Sequence, residues 1–424
     1  MPTPATTSAC ARSLRQKLQL YGAAASALEN GALILTDSPL GQAKNYIADK
    51  AASREDERRH GQPMVIDVYK MRGLYAEIYS YENLYQAYLE ARKGKRFRPE
   101  VLGFTNNLEA NLIEIQNELI WRTYQIGPYR EFYVHEPKLR LIMALPFRDR
   151  VVQWAIYRVL NPRLDKRYIS DFYACRPGYG VHRAVKRLQY WMRYMSRRHQ
   201  RVYVLKMDVS KYFYRIDHDI LMDIFARLID DDDLLWLLDM IYRSEDPLFG
   251  LPQGVSDYSS CNRTAGCGMP VGNLTSQMAA NLYLNEVDQF IKHDLRVRRY
   301  MRYMDDMAIL HHDKQYLWEI KREVEGFLAN RLHLDLNSKT TVRSVSQGVE
   351  WLGYRVWPTH IKLRNSTAQK MRKRLRYLQN ACSRGEATPA DLNTTWQSYR
   401  GMLKHCNSYR LQRKLEGEMG DMQD

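Results

Sequence analysis

The chain has little cysteine, no long apolar run and too few acids to balance its bases. Each shortage excludes something. Six cysteines are scattered over 424 residues, which excludes a disulfide-built scaffold and fits a cytoplasmic location. Cys261 and Cys267 are the one close pair, with five residues between them and no Cys or His nearby, a poor zinc pattern. No segment approaches 18 consecutive apolar residues, so no membrane span is expected. Met1 to Ala11 lacks an apolar core behind a basic region and does not read as a secretory signal. Lys and Arg number 64 against 48 Asp and Glu, a formal charge of +16. That excess calls for a polyanionic partner, nucleic acid before an acidic membrane. At ~150 residues per domain the length suggests two to four domains.

Against this background one acidic pair stands out. Tyr300, Met301, Tyr303 and Met304 lead into Asp305-Asp306, and Met307, Ile309 and Leu310 lead away. Two apolar runs around a carboxylate pair predict a tight β-hairpin with the acids at its tip. A solvated Asp-Asp turn is the plainer alternative, but such turns usually sit in polar surroundings. A second segment, Val202 to Phe213, is rich in β-branched and aromatic residues and reads as a buried strand ending at Asp208. Nucleotidyl transfer uses two divalent ions about 3.5–4 Å apart. Asp208, Asp305 and Asp306 have the side chains and strand contexts to hold them.

Tyr303-Met304-Asp305-Asp306, with Asp208 upstream, resembles the catalytic core of reverse transcriptases, and the resemblance runs in order from about residue 80 to about 410. It implies an α+β right-hand polymerase fold: fingers, an RRM-like antiparallel palm sheet and a helical thumb. The expected boundaries are an N-terminal extension over 1–70, fingers over 71–200, palm over 201–358 with an inserted loop at 244–269, and thumb over 359–424. It also implies two Mg²⁺ ions, with Mn²⁺ as an alternative, held by the three aspartates and Val209. The implied partners are a template RNA, an RNA/DNA duplex and dNTPs.

Other stretches take roles within that frame. Leu74 to Lys95 reads as one helix, followed by the basic run Arg92 to Arg96. Leu108, Leu112, Ile115 and Leu119 form one buried helical stripe. Lys138 and Arg140 share one face of a strand; they suit a triphosphate or protect a sheet edge, and the resemblance favours the nucleotide. Asp149 is assigned a structural pairing with Arg150 or an earlier base. The Gly/Pro loop and helix start around Arg176, His182 and Arg183, with Tyr173 and Tyr179, suit contact with a template strand. Phe213 is either a screen against a 2′-hydroxyl or a core aromatic. Asp230 to Asp233 reads as a helix cap rather than a metal site. Lys339 is placed near the leaving pyrophosphate or in solvent. Tyr303 and Gly353, the latter in the hairpin Glu350 to Val356, are expected against nucleic acid, Gly353 by close backbone approach.

Pro252-Gln253-Gly254 only superficially resembles the family's glutamine-glycine motif. The better match is Val271-Gly272-x-x-x-Ser276-Gln277, and Val271, Gly272 and Gln277 are expected at the nucleotide. Most reverse transcriptases have glutamine where Val271 stands. The valine resembles the enzymes of diversity-generating retroelements, which copy a template repeat with errors at adenines and work with a structured RNA and a small basic accessory protein. Losing a directional amide weakens hydrogen-bond discrimination; simple repacking at ordinary fidelity is the alternative. Eight bases and no acid lie between Ile361 and Gly385, with Met371, Leu375 and Leu378 on one face. Lys370, Lys373 and Arg374 are thus expected to track a duplex backbone. No RNase H or endonuclease segment is expected. An anti-phage reverse transcriptase with a noncoding RNA, a non-catalytic RNA-binding protein and an RNA-dependent RNA polymerase are the competing readings. Association with a second copy is left open.

Overall fold

The computed structural model describes residues 70–134, 140–243, 248–251, 255 and 262–420. Most of the expected extension, the Pro252 to Gly254 stretch and Lys138 lie outside them.

Helices α1 (Leu74–Tyr79) and α2 (Tyr81–Ala91) replace the single expected helix. Ser80 has extended backbone and its hydroxyl caps α2 by accepting from the Asn83 N–H at 3.3 Å, so one apolar run is split by a capping serine. Helices α3 (Pro99–Asn106) and α4 (Leu108–Ile120) follow, and Leu112, Ile115 and Leu119 are fully buried as the spacing predicts. Strands β1 (Arg130–Val134) and β2 (Arg140–Ala144) form an antiparallel ribbon with Val134 opposite Arg140. Helix α5 (Phe147–Asp165) begins beside it. Buried Asp149 accepts from the Tyr124 hydroxyl at 2.7 Å and the Gly127 N–H at 3.2 Å. Of the two expected pairings the one with an earlier base holds, Arg148 lying 3.9 Å from Asp149, whereas Arg150 pairs with Glu100.

Helix α6 (Val181–Ser196) precedes strand β3 (Tyr203–Asp208). Helices α7 (Tyr212–Arg215), α8 (His218–Leu228) and α9 (Asp232–Tyr242) come next. Asp231 caps α9 by accepting from the Leu234 N–H, as the acidic run suggested. Helices α10 (Leu274–Tyr283) and α11 (Asn285–Gln289) lead to β4 (Tyr300–Tyr303) and β5 (Asp306–His311). After α12 (Lys314–Leu332) and β6 (Thr341–Ser344), strands β7 (Val349–Trp351), β8 (Tyr354–Val356) and β9 (Ile361–Leu363) make a separate small sheet. Helices α13 (Asn365–Ser383), α14 (Pro389–Leu403) and α15 (Tyr409–Gly420) end the described chain.

The central sheet has the order β4-β5-β3-β6, and its pairings are antiparallel. Its strands alternate between two cores. Leu205, Met207, Tyr300, Met307 and Ile309 belong to one, which includes side chains of α8 to α12. Val204, Met301, Ala308 and Leu310 belong to the other, which includes α6, β7 to β9 and α13. Both faces are covered, so β3, β4 and β5 are mostly apolar. A polar residue on them therefore needs a local reason.

Candidate active site

That alternation sets the direction of the acids. Residues two apart on a strand share a face, so Lys206 and Asp208 lie on the Val204 face and Asp306 on the Ala308 face, which are one face of the sheet. Asp208 is directly opposite Asp306 in the β3–β5 register, and Tyr303 is opposite Asp306 across the β4–β5 turn. Met304 and Asp305 are the two-residue loop between those strands. The three carboxylates expected to converge are therefore neighbours.

Their electrostatics confirm the proximity. Burial, and then the charges of Asp208 and Asp306, raise the Asp305 carboxyl to about 7. Lys206 Nζ lies 3.4 Å from Asp306, and the Asn337 side-chain amide donates to Asp208 at 3.2 Å. The Asn337 backbone N–H also donates to the Asp208 carbonyl at 2.7 Å. Among the described residues, no group of three or more His, Cys, Asp or Glu side chains is arranged to hold a metal ion as it stands. The donor chemistry nevertheless fits a hard divalent cation: several carboxylate oxygens, one carboxyl held against ionisation by burial and then by its neighbours' charge.

The hairpin tip is strained, and a buried network supports it. Met304 adopts φ 53°, a left-handed conformation costing roughly 1–2 kcal/mol for a residue with a Cβ. Arg302 donates to the Met304 carbonyl at 3.0 Å and to the Asn281 carbonyl at 3.2 Å. Its guanidinium also pairs with Asp288 at 2.6 Å, both side chains being fully buried. The Tyr300 hydroxyl donates to the same carboxylate at 2.6 Å, and Phe172 stacks on the guanidinium. Sequence reasoning missed this network. The one available signal was an arginine in an otherwise apolar strand.

Other expected residues gather around it. Cys175 donates to Gln277 Oε1 at 3.6 Å and touches the Met304 sulfur at 3.8 Å, which links Gln277 on α10 to the hairpin tip. The Val271 carbonyl accepts from the Met143 N–H at 3.1 Å, tying this turn to β2. Gly272 has φ 120°, and a Cβ there would meet Ile142 at 3.2 Å. Val209 is buried and bridges to Leu336. Phe213 is half-buried on α7, edge-on to Tyr212. Lys339 is exposed, and its N–H donates to Asn337. Arg140 sits in β2 opposite Val134.

The remaining expectations divide. Arg183 is exposed. Arg176 is not: its side chain is 8% exposed, paired with Asp165, and it donates to the Ile169 and Phe172 carbonyls. It fastens the loop rather than presenting a cation, and Tyr173 is also buried. His182 stacks on His405 and meets the Tyr354 hydroxyl at 3.0 Å. Tyr303 is half-buried beside the acids. Gly353 lies in the β7–β8 turn at φ 85°, where a Cβ would come no nearer than 3.8 Å to a neighbour. The positive φ asks for glycine, and the space beside it is open. Lys370, Lys373 and Arg374 are exposed along α13, and Arg372 and Arg376 are engaged by Glu418.

An antiparallel sheet carrying paired carboxylates on neighbouring strands, flanked by helices on both sides, defines the right-hand class of nucleic-acid polymerases, an α+β fold. Comparison narrows the class. The reverse transcriptase (RNA-dependent DNA polymerase) family profile matches residues 135–356, more than half of the chain. The chain belongs to the reverse transcriptase family, the RNA-directed DNA polymerases. It is 27% identical over 284 residues to protein YkfC of Escherichia coli K12, covering 59% of this chain and 72% of that one. It is 23% identical over 341 residues to the group II intron-encoded protein LtrA of Lactococcus lactis, covering 65% of this chain. The match spans about half of LtrA, 54% of its length. A telomerase from Candida tropicalis, solved with a fragment of telomeric RNA, superimposes with a TM-score of 0.44 at 10% identity, covering 70% of this chain and 57% of that one. Among the described residues no helix is long and apolar enough to cross a membrane.

Proposed function

We propose that this chain synthesises DNA on an RNA template by two-metal-ion nucleotidyl transfer, with Asp208, Asp305 and Asp306 as its catalytic carboxylates. The observation that carries the reading is the register of Asp208 against Asp306 with Asp305 in the adjoining turn. Those side chains, with the Val209 backbone, would hold two Mg²⁺ or Mn²⁺ ions. When bound, the ions lower the pKa of the primer 3′-hydroxyl and stabilise the leaving pyrophosphate. Lys206 and Asn337 keep Asp306 and Asp208 aimed, and Arg302 fixes the turn that presents Asp305.

The remaining roles follow the same reading. Arg140, with Lys138, takes the triphosphate. Phe213 screens the sugar 2′ position. Lys339 serves the departing pyrophosphate as proton donor or charge partner. Val271, Gly272 and Gln277 border the incoming nucleotide. Arg183 and His182 meet the template, while Tyr303 and Gly353 meet the primer strand. Lys370, Lys373 and Arg374 follow the duplex backbone. In this reading residues 71–200 are fingers, 201–358 palm and 359–424 thumb.

The retroelement context rests on Val271 and Gln277: an error-prone enzyme of the diversity-generating kind, copying a structured RNA with a basic accessory protein or a noncoding RNA as partner. Primer extension on an RNA template with dNTPs against NTPs tests the activity, and sequencing the product tests fidelity. The expected result is DNA product with errors concentrated at template adenines, and a Val271→Gln variant that makes fewer. Extension with NTPs alone overturns the DNA polymerase assignment. Unchanged adenine errors in Val271→Gln overturn the role of the valine.

A further inference from the structure

Beyond His182 and Arg183, helix α6 carries a surface that the polymerase reading leaves unused. Between His182 and Val202 the chain has seven Lys and Arg and no acid. Arg183, Arg187, Tyr190, Tyr194 and Arg197 recur at i, i+4, i+7, i+11 and i+14, one face of a helix. The opposite face, including Leu188, Trp191 and Met192, is buried in the core shared with the central sheet. On the outer face Lys186, Arg193, Arg197 and Arg198 are exposed, and Tyr190 is 57% exposed. A merely solvated helical face normally mixes both signs of charge. This one interleaves cations with aromatic rings.

The rings are arranged to order the cations. Tyr179 lies against the Arg176 and Arg183 guanidinium groups, each 4.1 Å from its centroid. Tyr194 lies against Arg198 at 3.7 Å and Arg299 at 5.2 Å. A groove of about 430 Å³ runs between the 170–179 loop and the start of α6, lined by Asp171, Tyr179, Lys186, Arg187 and Tyr190 among others. Asp171, its one acid, is neutralised by Arg187 at 2.9 Å. That volume lies within the range of small-ligand sites, roughly 300–1,000 Å³.

The stripe also has a direction. The loop at its start pairs with the outer edge of β4: the Arg302 N–H donates to the Asp171 carbonyl at 3.1 Å, close to the turn that carries Asp305. Its other end reaches His199, which stacks on His312 at 4.2 Å, just past the last residue of β5. The stripe therefore leads from the carboxylate end of the sheet to its far end. Sixteen helical residues span about 24 Å.

We propose that the outer face of α6 is a binding track for single-stranded RNA outside the carboxylate cluster, with Lys186, Arg193, Arg197 and Arg198 on phosphates and a base stacked on Tyr190. Exposed ring faces between cations suit unpaired bases; a duplex hides its base faces and offers a backbone only.

The test uses the full chain with Lys186, Tyr190 and Arg197 all changed to alanine. Binding is read by anisotropy of labelled unstructured RNA and of a blunt RNA duplex, each of about 20 units, long enough to exceed the track. We expect the single strand to bind about tenfold more weakly. Its salt dependence should flatten by about 1.4 logarithmic units per decade, the share of two lost phosphate contacts. Duplex binding should change less than about twofold. Tyr190→Ala alone should lose part of the affinity and Tyr190→Phe should keep it; this pair decides the matter should the triple variant misfold. Unchanged single-strand binding overturns the proposal. So does an equal loss for strand and duplex, which would mean charge without stacking. Because binding is read directly, a failure of the polymerase reading, seen as no DNA made by the unaltered chain, is separable from a failure of this one.

Discussion

Two hairpins with two-residue turns can be set side by side. The β7–β8 turn has Leu352 at φ 49° and Gly353 at φ 85°; its glycine meets one of the two left-handed demands, and a Cβ there would find space. The β4–β5 turn has Met304 at φ 53° and no glycine. Its conformation is held from outside by Arg302, which is itself locked by Asp288, Tyr300 and Phe172. One turn is made by local chain preference and the other by tertiary structure. The second carries the acids. A turn held by a buried network keeps its carboxylates in place despite their mutual repulsion, and backbone strain of this sort concentrates at functional sites.

Changes at the two turns should differ in size and in kind. The largest effect belongs to the acids: Asp305→Ala with Asp306→Ala should lower primer extension by about a thousandfold or more while the thermal midpoint stays at or above that of the unaltered chain. Next comes the brace. Arg302→Met strands the Asp288 carboxylate in the core, and stability measured by denaturant should fall by about 3–5 kcal/mol.

A smaller effect has a defined pH dependence. The folded Asp305 carboxyl titrates at about 7 against an ordinary 3.8. The folded state thus holds a proton that the unfolded chain has released, so metal-free stability falls as pH rises from about 4 to about 7 and stays low above. Asp305→Asn removes the penalty. Without divalent ions it should be more stable than the unaltered chain by roughly 1–2 kcal/mol near pH 8 and show no gain near pH 4. The smallest change is at the other hairpin, where Gly353→Ala should cost about 1 kcal/mol through the backbone alone. If Gly353→Ala proved as damaging as Arg302→Met, the contrast between the turns would fail.

The same contrast explains what the sequence revealed. The strands of the acidic hairpin, its turn and the strand ending at Asp208 were legible because apolar alternation and a carboxylate pair are local signals. The β7–β8 hairpin was legible through the resemblance carried by Glu350 to Val356. The break between α1 and α2 was hidden because Ser80 is one polar residue in a continuous helical pattern. Arg176 was misread because its partners, Asp165 and two carbonyls, are supplied by folding. The Arg302–Asp288 pair was missed for that reason too: its residues are 14 apart in the chain, and the lone arginine in β4 does not name its partner.

The most direct test of the central claim is anomalous scattering from crystals of the full chain grown with Mn²⁺ and a primer–template. The account predicts two peaks about 3.5–4 Å apart, ligated by Asp208 with Asp305 and Asp306. Manganese bound elsewhere on the molecule, with none shared between Asp208 and the β4–β5 turn, would contradict it.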